Sequence, residues 1–156
     1  MANTIKLKKY SDVIVEAVAN ATITPGMLIE IMSTGKVRAH SGAGQNVAPI
    51  MVALEDELQG NGIDDDYSAL DPVQCWIPYR GDEVNAILKN GEKVAIGDLL
   101  ESAGNGEVQK HTADVDSSAD ITTIYPNQIV GVALEAVDMS DSSAADPSGR
   151  IRMRIV

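Results

Sequence analysis

His40 and His111 are the two histidines of this 156-residue chain, and each closes the same spaced pattern, Gly-x-Val-x-x-His. An imidazole beside a serine and an aspartate has the chemistry of a general base, because its charge changes near neutral pH. Both positions, however, belong to a repeat. GMLIEIMSTGKVRAH (26–40) and GDLLESAGNGEVQKH (97–111) share Gly26/Gly97, Leu28/Leu99, Glu30/Glu101, Gly35/Gly106, Val37/Val108 and His40/His111 at one offset of 71 residues. An active site is seldom built as two identical halves with one candidate in each. Both histidines are therefore expected to end corresponding strands, close to a loop and partly exposed, and the chain is read as a non-enzyme.

The other chemistry-bearing clusters are equally sparse. Asp64-Asp65-Asp66 has neither the alternating ligands nor the twelfth-position Glu of an EF-hand loop, so it is read as a solvated loop and no metal is expected. Gly42-Ala43-Gly44 lacks the remainder of a dinucleotide fingerprint, and no Gly-Lys-Ser/Thr follows it. No cofactor is expected. Arg80-Gly81-Asp82 has the composition of a hairpin turn, and Cys75, inside the apolar run VQCWIPY, that of a small buried hydrophobe.

Two charged stretches remain as candidate binding surfaces. In the first, Ile5, Lys6, Leu7, Lys8, Lys9 and Tyr10, polar and apolar residues alternate, so residues 1–10 are expected to form an extended N-terminal arm that adds a strand to a neighbour's sheet edge. This arm carries +3, which leaves −14 for the remainder. In the second, Arg150, Arg152 and Arg154 face one side of the terminal strand while Ile151, Met153 and Ile155 face the other. The arginines are matched most simply by acids on an adjacent strand, or, as a possible interface, by acids of another subunit.

The elements that position these groups are strands. Thr22-Ile23-Thr24 precedes Pro25-Gly26, the favoured pairing for a type II turn, and further turn signals recur about every 8–12 residues. Pro49 marks an edge or a strand start. The expected fold is mainly all-β: a compact barrel or sandwich-like domain over 11–156, with an internal two-fold repeat of β units at about 23–58 and 94–138. VALE at 52–55 recurs at 132–135, an offset of 80. The second copy therefore gains nine residues, placed in an insertion at 112–127, and a further soft loop spans 140–149. The only stretches open to a helix are short, around Val13–Ala19 or Glu55–Leu58, and neither has the length and periodicity that marks one.

Composition narrows the function classes. A net charge of −11 repels phosphate backbones, so free nucleic acid is not an expected partner. No apolar run approaches the roughly 18 residues of a membrane helix, and the N-terminus lacks an apolar signal segment, so neither a membrane nor a secretory route is expected. With no Phe, one Trp and four Tyr, the core must be aliphatic, and stacking platforms for bases or sugars are disfavoured.

Taken in order, SDVIVEAVANATITPGMLIEI, GKVRAHSGAG, VALEDELQGNGIDDDYSALDPV, IPYRGDEVNAIL, VAIGDLLESAGNGEVQKH, IVGVALEAVD and GRIRMRIV resemble the small head decoration, or cement, proteins of tailed bacteriophages. The likeness runs over almost the whole chain. It implies a β-rich structural virion protein, commonly a homotrimer, made in the host cytoplasm. Such a protein sits on the outer capsid surface, binds the major capsid protein and stabilises the expanded shell without catalysis or cofactor. It also implies that the arm, here Ala2–Tyr10, reaches across a capsid subunit. GDLLESAGNGEV and IVGVALEAV also resemble β segments of some phage tail-fibre and spike proteins, which is the alternative.

Overall fold

Glycine-marked turns separate short runs of β-branched and alternating residues, and the chain folds accordingly. The computed structural model describes residues 3–9, 12–113, 125–141 and 149–156. Among them are thirteen strands: β1 Lys6–Lys8, β2 Val13–Val18, β3 Ile29–Ile31, β4 Val37–Ala39, β5 Val52–Ala53, β6 Pro72–Ile77 and β7 Glu83–Ile87, then β8 Lys93–Val94, β9 Leu99–Gly104, β10 Glu107–Lys110, β11 Ile129–Ala133, β12 Val137–Asp138 and β13 Arg150–Ile155. The fold is all-β. Neither short stretch open to a helix is α-helical: residues 13–18 are strand, their β-branched side chains favouring the pleat, and Glu57–Gln59 make a single 3₁₀ turn that Gly60 ends at φ +82°.

The turns carry the duplication into the backbone. Gly26 has φ +93°, and the Met27 N–H closes the turn on the Thr24 carbonyl at 3.1 Å. At the corresponding place, Gly97 has φ +90° and the Asp98 N–H donates to the Ala95 carbonyl at 3.1 Å. Only glycine enters this region without strain, which explains why both glycines mark the repeat.

From these turns the hydrogen bonds run in parallel through both copies. Gly26 N–H donates to Ala53 at 2.8 Å, as Gly97 does to Ala133 at 2.9 Å. His40 N–H donates to Leu28 at 2.9 Å, as His111 does to Leu99 at 2.8 Å. Leu54 N–H donates to Gln74, and Leu134 to Arg152, both at 2.9 Å. Flanking strands follow the same scheme: Ala17 pairs with Val73 and Ala86 with Ile151, Val15 with Cys75 and Val84 with Met153. The repeat is thus longer than 23–58 and 94–138. Its units extend over Val13–Ile77 and Glu83–Ile155, taking in β2 and β6 of the first and β7 and β13 of the second.

Each unit has the same strand order. In the second, β7-β13-β11-β9-β10 lie side by side, with β1 added outside β7. In the first, β2-β6-β5 connects through the Leu28–Val52 bridge to the β3-β4 hairpin. A parallel bridge then joins the end of the first strand to the last, Ala19 to Val37 in one unit and Leu88 to Val108 in the other. Both units therefore curl into small five-stranded barrels, joined by this bridge only at one end of the first strand, whose remaining outer edge is left unpaired within the barrel.

The interior is aliphatic, as the composition requires. One cluster, including Ile23, Ile29, Val37, Met51, Val73 and Cys75, fills the first unit. A larger cluster joins Leu28, Val52 and Trp76 of the first unit to Val84, Leu100, Val130, Ile151 and Met153 of the second. Ile5 is fully buried in it.

Candidate functional site

The two charged stretches singled out in the sequence meet on one face. β1 pairs antiparallel with β7, and β7 with β13, so the arm and the arginine strand flank a common neighbour. Between them lies an open groove of about 740 Å³, whose lining includes Leu7, Lys8, Glu83, Asn85, Arg150 and Arg152. Glu83 is the hub. Its carboxylate accepts from the Arg154 guanidinium at 2.7 Å and lies 3.6 Å from the Lys8 ammonium. The bond from Arg154 holds the Glu83 carboxyl below its usual range, against the opposing effect of burial.

The Arg150 and Arg154 guanidinium groups thus find acids and carbonyls within their own chain. Arg154 meets Glu83 on the adjacent strand, as the alternation predicts. Arg150 ties the units together, donating to the Pro25 carbonyl at 3.0 Å, the Ile63 carbonyl at 2.6 Å and the Asp64 carboxylate at 3.3 Å. Its guanidinium would clash with any Cβ at Gly26, only 2.5 Å away, so the turn glycine is also required by this contact. Arg152 lines the groove, and its backbone N–H donates to Glu135 at 2.8 Å.

Residues 3–9 are not a free arm. Ile5 is in the core, its N–H donating to both oxygens of the buried Glu55 at 3.2 Å, and the Thr4 hydroxyl donates to the same carboxylate. Lys6 and Lys9 both reach Asp12, at 3.1 and 2.6 Å, and hold its carboxyl below the usual range, Lys9 most strongly. Alternation alone foresaw a strand but not its partner: the segment adds to the sheet edge of its own chain. Tyr10 lies outside the described residues, as does most of the expected 112–127 insertion and of the 140–149 loop.

The catalytic candidates take structural places. His40 is buried, not partly exposed, because the β9 strand of the second unit covers it; Ser102 Oγ lies 2.8 Å from its Nδ1 and the Asn46 carbonyl 3.0 Å from its Nε2. His111 is more open and lies 2.7 Å from Glu101, which also accepts from Gln109 and Gln128 at 2.8 and 2.9 Å. Among the described residues, His111 is hydrogen-bonded to a carboxylate where His40 is hydrogen-bonded to a serine, so the two repeat positions are not equivalent.

Arg80-Gly81-Asp82 is a turn, as its composition predicts. Asp82 is buried and accepts from the Tyr79 N–H at 2.7 Å, while Gly81 has φ +99°. Cys75 is buried, and burial pushes its thiol up to about 11. Asp64 pairs with Arg150 and Asp65 accepts from the Gly62 N–H at 2.7 Å. Among the described residues no three His, Cys, Asp or Glu side chains are grouped to hold a metal, and no helix is long and apolar enough to cross a membrane.

Fold and groove together define an all-β scaffold of two equivalent barrels with a surface of paired charges. No family model and no curated protein matches the chain. Among solved structures it is similar to the head fiber gp8.5 N base of bacteriophage phi29, at a TM-score of 0.56 and 13% identity, over 94% of this chain and 95% of that one. At that identity the likeness is one of fold, and it extends over both units.

Proposed function

We propose that this chain is a structural protein of a phage head, bound to the outer surface of the shell through the major capsid protein and acting without catalysis or cofactor. The observation that carries this reading is the likeness in fold, over nearly the whole of both chains, to the base of a phage head fibre. The resemblance of the sequence to head decoration proteins points the same way. A head-associated neighbour also favours the head over the tail-fibre and spike alternative.

Mechanically, two barrels fused by Arg150 and a shared core make a stiff body. Stiffness is useful to a protein that clamps a shell, because little conformational entropy is lost when it binds. Assembly as a trimer would multiply weak contacts: a single contact of ~1 mM corresponds to about −4 kcal/mol, and several on a matching lattice gain roughly 10²–10⁴ in apparent affinity. The docked N-terminal strand changes the expected contact. Among the described residues of the arm, Asn3, Lys8 and Lys9 are exposed, whereas Ile5 is available to a shell only after undocking.

The test is to mix the purified chain with expanded and unexpanded heads and count bound copies. Saturable binding to expanded heads, in hundreds of copies per particle, is expected. Absence of head binding, with binding to host cell surfaces instead, would establish the fibre reading.

A further inference from the structure

The duplication creates two equivalent sheet edges, and the described residues supply a strand for one of them. In the second unit, β1 lies along the free edge of β7. The Asn85 N–H donates to the Ile5 carbonyl at 2.9 Å and the Ile87 N–H to the Gly26 carbonyl at 3.3 Å, and every residue from Glu83 to Ile87 is buried. In the first unit, β2 occupies the place of β7, ending the order β2-β6-β5. Glu16 and Val18, the counterparts of Asn85 and Ile87, find no such acceptor among the described residues.

The side chains of β2 are as open as its backbone. Val13, Ile14, Val15 and Val18 are 49, 40, 44 and 41% exposed, although Val13 and Val15 face one side of the strand and Ile14 and Val18 the other. A solvated edge strand ordinarily carries lysines or prolines that deter pairing. β2 carries neither. Its single charge, Glu16, is engaged by the Gln74 amide of the adjacent strand at 3.0 Å.

We propose that β2 is the surface at which a second copy of this chain docks, its open backbone edge and both apolar faces being covered there. This names the contact for the self-association in the functional reading above, and rests on that part of it alone. Charge selects the occupant. Two copies at −11 each repel over most of their surfaces, so they approach with least cost where apolar groups dominate and charge is sparsest, as along β2 with its single Glu16. A partner of unlike kind would be recognised more readily through the acidic surface elsewhere. The precedent for strand addition is internal, since the chain's own residues 6–8 fill the equivalent edge.

The experiment is sedimentation of the purified full-length chain over a concentration series, without heads, alongside Val15→Lys and the milder pair Val13→Thr with Val15→Thr, which keeps β-branching. The wild type is expected to be oligomeric. Association should weaken at least tenfold in Val15→Lys and by less in the threonine pair, with an unchanged circular dichroism spectrum in the latter. Amide exchange at Glu16 and Val18 should be slow in the oligomer and at least tenfold faster in the variant that dissociates. A wild type that stays monomeric up to about 0.1 mM would overturn the proposal. So would an oligomer undisturbed by both variants, or one that persists in Val15→Lys while head binding is lost, which would put the shell on β2. Because no head enters the sedimentation, failure of the shell reading leaves this result standing.

Discussion

His40 Nδ1 lies 2.8 Å from Ser102 Oγ, a hydrogen bond from the end of β4 in the first barrel to β9 in the second. With Nε2 donating to the Asn46 carbonyl, Nδ1 is left to accept from the hydroxyl, whose oxygen in turn accepts the Gly104 N–H at 3.2 Å. The ring therefore serves as a buried strut between units. Replacing His40 with Ala strands the Ser102 hydroxyl and the Asn46 carbonyl and opens a cavity, an expected loss of about 2–4 kcal/mol in urea unfolding. His111→Ala, at the more open counterpart, should cost about 1 kcal/mol. Equal losses at both positions would mean that the cross-unit bond contributes nothing.

That pair also shows how far the sequence could be read. The central hairpins were legible because Gly26/Gly97 and Gly35/Gly106 must adopt positive φ in both copies, so the identities survive at one offset. The outer strands could be read as strands but not as members of the repeat, because Ala17 corresponds to Ala86 and Val73 to Ile151 at other offsets, with insertions between. Backbone pairing is common to the two units, while side chains answer to what covers them: Val15 is exposed and its counterpart Val84 buried. Likewise alternation in IKLK revealed a strand, but no local pattern distinguishes an edge in the same chain from one in a neighbour.

The duplicated hairpin glycines should respond unequally to alanine. Gly35 and Gly106 have φ +80° and +78°, so an alanine is strained at either, by about 1 kcal/mol. A Cβ on Gly35 meets nothing within 4 Å, whereas one on Gly106 would lie 2.8 Å from Met27 Cβ and Cγ and 3.1 Å from the Leu28 carbonyl oxygen. Gly106→Ala is therefore expected to cost at least about 1–3 kcal/mol more than Gly35→Ala, the penalty of overpacking, in side-by-side thermal unfolding.

Glu83 should contribute to stability in a defined pH window. Its folded-state carboxyl is held below the ordinary value of 4.5 by the bond from Arg154, so between the folded and unfolded values the unfolded chain binds more protons. The contribution is therefore complete above about pH 4.5 and disappears as the pH falls through the folded value. Glu83→Gln removes it, an effect of about 1 kcal/mol at pH 7 that should shrink as the pH falls below 4.5. Stability curves of both proteins across that range test this. A difference that stays constant with pH would show that the loss is one of packing.

The N-terminal strand should be a stabilising element before it is anything else. Ile5 is wholly buried, its N–H satisfied by Glu55 and its carbonyl by Asn85, so Ile5→Ala is expected to cost about 2–4 kcal/mol. An undocking free energy of about 3 kcal/mol would leave roughly one molecule in a hundred with the strand undocked, since each 1.4 kcal/mol is tenfold. Deleting residues 1–10 should accordingly lower the unfolding midpoint and speed amide exchange at Asn85, whose N–H then loses its acceptor. If the truncated chain is as stable as the full one and exchange at Asn85 is unchanged, the segment is not docked in solution and is free to reach a shell as an arm. If stability falls as expected, a contact made by Ile5 with a shell must first offset the energy of leaving its own core, and the exposed Lys8 and Lys9 become the residues to substitute in head-binding assays.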